Sequence, residues 1–454
     1  MNRRQWMSGI AALGSGLTAL APAAFAQTRS PVVSALRGSL DATDFGIQPD
    51  LGTDQSAAFE RMLSEASGDS VFLPAGRYVV AGIRLPAETR LTGVPGATRL
   101  ICGGGSLIVA DDAAIVHFEG LVFDGAREAL VDQTRALVEI RRAADVVIDR
   151  CEVLGSSKSA IVLERCSGRV ERTSIRDAAD YAIYSVEAER MRIASNTVRD
   201  CAEGGILVHR WERGSDGTVV TDNRIESIGA RSGGTGQYGN GINVYRADNV
   251  IISGNHVADC AFSAIRANSA SNIQITGNQC LRSGETAIYA EFAFEGALIS
   301  GNIVDTAAIG ISIANLNDGG RLAVCSGNVV RNLVDAGPYE PFEAMGFGVG
   351  ISAEADTAIT GNVIEGAPRC AVLLGWGPYL RNVVATGNMI RDAREGFAIS
   401  VVEGVGPVLV ADNVISEVEH AVIGYRWRDT ATGELADDDG ETFPGLSIER
   451  NLVS

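Results

Sequence analysis
The stretch Gly241-Ile242-Asn243-Val244-Tyr245-Arg246-Ala247-Asp248-Asn249-Val250-Ile251-Ile252-Ser253-Gly254-Asn255 decides the fold. Side chains alternate along a strand, so Ile242 and Val244 share one face and Asn243 and Tyr245 the other. After a short polar link the strand pattern returns at residues 249–253 and stops at Gly254-Asn255. Period two in short runs bounded by Gly, Asn, Asp and Ser means strands and turns, with no helical run between them.

The same two signals recur along the chain. The first reads Ala160-Ile161, Ala182-Ile183, Gly205-Ile206, Gly241-Ile242, Ala264-Ile265, Ala287-Ile288, Gly310-Ile311 and Gly350-Ile351, then Ala371-Val372, Ala398-Ile399 and Ala421-Val422. The second is an Asn, often after Gly, from Asn196 through Asn255, Asn302 and Asn388 to Asn451. One such unit cannot bury its own apolar face, so units must stack. About three short strands per unit predict an all-β fold, a right-handed parallel β-helix. The repeats imply roughly a dozen coils, a rod nearly 60 Å long at ~4.8 Å per coil. Stacked Asn amides predict a hydrogen-bonded ladder. Asn also tolerates a left-handed turn. Arg150 and Arg172 occupy the ladder position in the first coils, so the ladder should start at Asn196.

The N-terminus differs. Arg3-Arg4 precedes an apolar stretch ending in the small-x-small site Ala24-Phe25-Ala26, as in a twin-arginine export signal. Residues 1–26 are therefore expected to be the signal, 27–136 an N-terminal cap with the first coils, and 137–454 the repeat β-helix. The expected location is periplasmic or secreted, with the twin-arginine export machinery as a partner. No later run is long and apolar enough to span a membrane. Within residues 53–68, Thr53 or Asp54 can cap a short amphipathic helix carrying Phe59, Met62 and Leu63, and Gly68 can end it. A helix there would cover the open end of the solenoid.

The formal net charge of −18 argues against nucleic acid or an anionic membrane as the main partner. The 8 cysteines show no metal-ligand spacing and are expected to be buried free thiols.

The run Asp44-Phe45-Gly46, Thr53-Asp54, Leu73-Pro74-Ala75-Gly76-Arg77-Tyr78 and Leu91-Thr92-Gly93 resembles the opening module of the pectate-lyase-like superfamily, and the later coils resemble its generic repeats. Combined with the twin-arginine signal, they also resemble an uncharacterised family of exported repeat proteins. The resemblance implies a polysaccharide partner and a groove along the Gly/Ala-Ile sheet. Independently, long insertions precede that strand at residues 228–239 and 333–347 and follow it at 428–445.

Outward positions on that sheet collect polar residues over four coils: His209, then Asn243 and Tyr245, then Arg266 and Asn268, then Tyr289 and Glu291, with Arg210 and Arg246 at the edge. A uronate lyase or epimerase must neutralise a carboxylate and move a proton. Arg266 with Asn268 can hold the carboxylate, and His209 or Tyr245 can serve as base and acid. A hydrolase needs two carboxylates instead, and Glu291 and Glu354 lie two coils apart, ~10 Å. Tyr184, Tyr245, Tyr289, Trp211 or Trp376 can stack on sugar. The candidate catalytic residues are thus His209, Tyr245, Arg266 and Glu291. The candidate substrate-binding residues are Arg210, Asn243, Arg246, Asn268, Tyr289, Glu354 and Trp376. Arg266 and Glu291, pointing outward, are expected to be dispensable for folding. The acidic tract Asp437-Asp438-Asp439 with Glu434 and Glu441 can bind calcium. Signatures of polygalacturonase-type hydrolases and of mannuronan epimerases are absent. A non-catalytic carbohydrate-binding or envelope structural protein is the alternative, and the sequence leaves the oligomeric state open.

Overall fold
In a computed structural model, the described residues are 38–454 apart from 235, 315–318, 340–345, 427–429 and 436–442. They form a right-handed parallel β-helix of about 14 turns. The turns beyond a dozen include opening coils, whose Ile83 and Ile108 extend the Ile column before the repeat signals counted from Ala160-Ile161.

Each coil has three legs. In one coil these are Ile251–Ser253, His256–Cys260 and Ile265–Asn268. First legs stack into a 16-stranded sheet, and second and third legs share a 25-stranded one. In several later coils second and third legs fuse into one bent strand, as in Gln279–Glu291, whose register shifts between Ser283 and Thr286. The only antiparallel pairing among the described strands is Val414–Arg426 with Thr430–Glu434. No described helix is long and apolar enough to cross a membrane.

The small residue before each Ile is required by stacking. A Cβ at Gly310 would run into the Gly350 carbonyl oxygen, and one at Gly350 into that of Ala371. Register confirms the Ile column in every coil but one. Val372 pairs with Phe397, not Ile399, so the small-plus-apolar pair there is Gly396-Phe397. Ser400 therefore stands three residues after the Ile position of its coil, opposite Tyr425. An aromatic in the Ile position disguises the signal.

The ladder is continuous. Each Asn from Asn196 to Asn413 donates its side-chain amide to the next Asn Oδ1 at 2.9–3.0 Å. Each amide also reaches a carbonyl of the preceding coil, as Asn302 reaches Ile275 at 2.9 Å. The position above Asn196 is Thr173, whose N–H donates to Asn196 Oδ1 at 3.0 Å. Arg172 is one residue earlier, on the left-handed corner at φ 49°, and Arg150 takes the same corner at 51°. The positive φ thus belongs to the residue before the ladder. The ladder asparagines are not left-handed, and their recurrence from coil to coil comes from buried hydrogen bonding.

One α-helix, Ser56–Glu65, buries Phe59, Met62 and Leu63, with the Phe59 ring 6.0 Å from that of Tyr78. The Asp54 carboxylate accepts from the Ser56 N–H at 3.0 Å, near the helix start. All eight cysteines are buried free thiols. Burial pushes each above its ordinary pKa.

Candidate functional site
Third legs carry the site. His209, Tyr245 and Asn268 are register partners on successive coils, as are Asn243 and Arg266. These five, with Tyr184, Arg210, Trp211, Arg246, Gly236 and Gln237, line a cleft of about 500 Å³. The insertion before Asn240 supplies one wall through Gly236 and Gln237. Its Ser232 N–H and hydroxyl donate to buried Glu203 at 2.9 and 2.8 Å, and the Gly236 carbonyl accepts from the Asn240 and Asn243 amides at 2.6 and 3.0 Å.

Seven of the candidate residues meet in this cleft: His209, Arg210, Asn243, Tyr245, Arg246, Arg266 and Asn268. Two stand directly behind it. Glu291 Oε1 accepts from Arg266 Nε at 2.6 Å and from the Asn268 amide at 2.8 Å. Arg266 also sits 5.2 Å from the Tyr289 ring centroid. Glu354 and Trp376 do not line the cleft; Glu354 is two coils beyond Glu291, past Ala314.

The expectation that these side chains face solvent fails for His209, Asn243, Arg266, Glu291 and Glu354, all of them buried. Arg266 is 6% and Glu291 2% exposed, so the outward column is itself covered. Further along the same sheet Leu373, Ala398 and Ile423 form a separate apolar cluster with Val349 and Cys370 on this outer face. The acidic tract considered for calcium lies, apart from Glu434, outside the described residues. Among the described residues no cluster of three His, Cys, Asp or Glu is arranged to hold a metal.

His209 is held between Tyr184 and Tyr245, whose ring centroids lie 5.3 and 5.6 Å away, both edge-on. Burial lowers its pKa to about 4, and the neighbouring Asn243 side chain opposes this only in part. The imidazole is therefore neutral at neutral pH, with Nε2 buried and lacking a hydrogen-bond partner. Arg266 Nη1 is likewise buried without a partner. Unpaired buried polar atoms are costly in a finished core, and their presence in a cleft wall suits a polar ligand.

Three residues outside the sequence-based candidates complete the site. Glu187 accepts from Arg210 at 2.8 Å and from the Trp211 N–H at 2.7 Å, fixing that corner. Arg165 then lies 4.8 Å from the Trp211 ring centroid. Glu285, buried and raised in pKa by that burial, accepts from the Tyr339 hydroxyl of the second insertion at 2.6 Å. Trp211 itself rides on a bulge between His209 and Gly214, an insertion signalled in sequence by Trp211-Glu212-Arg213 before Asp216.

A family model for the right-handed β-helix region matches residues 101–236 and 211–390. The chain belongs to the right-handed β-helix family. The start of this β-helix, residues 39–135, matches a model described as rhamnogalacturonase A/epimerase, pectate lyase-like. Among solved structures, the β-helix is similar to the N-terminal fragment of bacteriophage Phi29 gene product 12. Identity there is 15% over 91% of this chain and 74% of that one, with a TM-score of 0.60. It is also similar to the enzymatically active domain of tailspike protein 2 from bacteriophage CBA120, at 12% identity and TM-score 0.50, over 64% of this chain and 47% of that one. Identities this low establish the fold alone. No curated protein matches the chain.

Proposed function
We propose that this β-helix cleaves an extracellular or cell-envelope polysaccharide by β-elimination next to an acidic sugar bound in the His209–Arg266 cleft. One observation carries this. The cleft wall holds Arg210, Arg246 and Arg266, a neutral His209 and two tyrosines, and no Asp or Glu among the described residues lining it. Hydrolysis calls for two carboxylates at the scissile bond. Elimination beside a uronate calls for cations and amides to neutralise the sugar carboxylate, plus a non-carboxylate base and acid. Glu291, the best-placed carboxylate, is sealed behind Arg266 and Asn268.

In this scheme Arg266 and the Asn243 and Asn268 amides hold the carboxylate. The proton on the adjacent carbon passes to His209 Nε2, and its electron pair forms the new C=C bond. The glycosidic C–O bond breaks, and the leaving oxygen takes the Tyr245 hydroxyl proton. Exposed Trp211 offers a stacking face at the cleft edge. The match of residues 39–135 to a rhamnogalacturonase/epimerase model supports a sugar ligand. Arg3-Arg4 and Ala24-Phe25-Ala26, outside the described residues, support twin-arginine export to the periplasm or beyond and the likeness to exported repeat proteins.

The test is a panel of acidic and neutral polysaccharides, with and without calcium, followed by unsaturated-uronate absorbance and by reducing ends. An absorbance rise that Tyr245→Phe slows by about 10²–10⁴-fold with binding retained is the expected result. Reducing ends without absorbance would replace elimination by hydrolysis. Binding with no product would leave a carbohydrate-binding rod.

A further inference from the structure
The second legs carry an outer column that changes character along the rod. Successive register partners are Thr197, Arg224, His256 and Gln279, all polar. From the next coil on they are Ile303, Val329, Val363, Met389, Val414 and Leu452. Ile303 is 37%, Met389 46% and Leu452 65% exposed. Six consecutive coils thus present an apolar ridge about 24 Å long. Single exposed apolar side chains are ordinary, whereas a continuous stripe marks a contact surface.

Two neighbouring features say what covers it. The corner beside the ridge carries Gly301, Gly327 and Gly361, where a Cβ would meet nothing within the chain. Asp222 holds the same left-handed corner on a polar coil, and Asp412 and Arg450 hold it on the ridge's last two coils, so packing within the chain does not demand glycine here. Over the coils of Ile303, Val329 and Val363 the result is a smooth flank that another backbone can approach closely. On the ridge's other side, the column two residues on reads Asp305, Arg331, Glu365, Arg391. Its signs alternate over four coils. Turned end for end, the column is its own complement. Arg331 then faces Glu365 of a second copy and Asp305 faces Arg391, whereas a parallel arrangement sets like against like. The internal pairs Arg331–Asp305 and Arg391–Glu417 are solvent-exposed on at least the arginine side and are easily exchanged for pairs to a second copy.

We infer that two copies of this chain pack antiparallel along this ridge, about a two-fold axis between the coils of Arg331 and Glu365. A two-fold interface requires one self-complementary patch, and this column supplies it. The ridge is narrow against the ~1,000 Å² of a specific interface, so the dimer is a reversible one.

Sedimentation velocity of the purified chain over rising concentration tests this. The expected result is a monomer–dimer equilibrium, weakened at least about tenfold by Arg331→Glu and restored by Arg331→Glu with Glu365→Arg. Met389→Glu, at an exposed position, should give a monomer with an unchanged thermal melt. A wild-type chain that stays monomeric at every concentration overturns the inference. So does association indifferent to both single changes. A dimer that Met389→Glu dissolves but the charge reversal leaves intact overturns the antiparallel register.

Discussion
His209 is neutral because two tyrosines and the coil above exclude water from it. Its pKa is lowered to about 4 from 6.5. Between those values the unfolded chain binds a proton that the folded protein refuses. The site's contribution to stability is therefore complete above pH 6.5 and is lost as pH falls through about 4, about 3 kcal/mol in all. Urea melts across that window should show His209→Phe losing less stability than wild type, and identical pH slopes would remove the assignment. The acid limb of kcat/KM should likewise fall near pH 4, not near 6.5. The Arg266–Glu291 pair makes a second prediction. Removing only the arginine strands a buried carboxylate, so Arg266→Ala should cost about 3–5 kcal/mol. Arg266→Met with Glu291→Gln should recover most of that loss in the same melts while leaving the protein inactive. Additive damage in the double variant would mean the two side chains are not a coupled pair.

At the scale of the element, the Asn ladder and the insertions have separate duties. Asn302→Ala leaves the Asn278 N–H and the Ile275 carbonyl buried and unpaired. That change should cost about 2–5 kcal/mol by denaturant melts, whereas Gln279→Ala, exposed one position after the ladder, should cost almost nothing. Repeats of this kind are legible in sequence, since Ile265 and Asn278 announce their coil by spacing alone. Which residues face out was legible too, because alternation fixes the face. Burial of Arg266 and Glu291 was not, since the chain covering the sheet comes from segments with no repeat, among them the one carrying Tyr339. The ladder starts at Asn196 as its spacing predicts, but reading Arg150 and Arg172 as ladder positions falls one residue too early, for a related reason. Arg172 and Gly254 share a left-handed turn, and the inward amide follows one residue later. Phe397 hid its coil because an aromatic filled a place that Ile takes elsewhere.

Over the whole molecule the formal net charge is −18, yet the cleft is walled by arginines. Long-range repulsion and short-range attraction then act on different lengths. Raising ionic strength from ~0.01 M to ~0.15 M shortens screening from ~30 to ~8 Å. That removes the repulsion felt by an approaching polyanion while sparing contacts inside the cleft. Stopped-flow association of an acidic oligosaccharide should therefore speed up with salt over this range. A rate that falls would show that the arginine field dominates at a distance.

The eight buried thiols, from Cys102 in an opening coil through Cys260 to Cys370, have a consequence beyond packing. Burial shields each of them while its coil is closed, and together they are spread along the rod. Alkylation in graded denaturant, read peptide by peptide, turns them into a set of clocks along one axis. Fraying from the ends would label Cys102 and Cys370 before Cys260, and all-or-none opening would label them at a single rate.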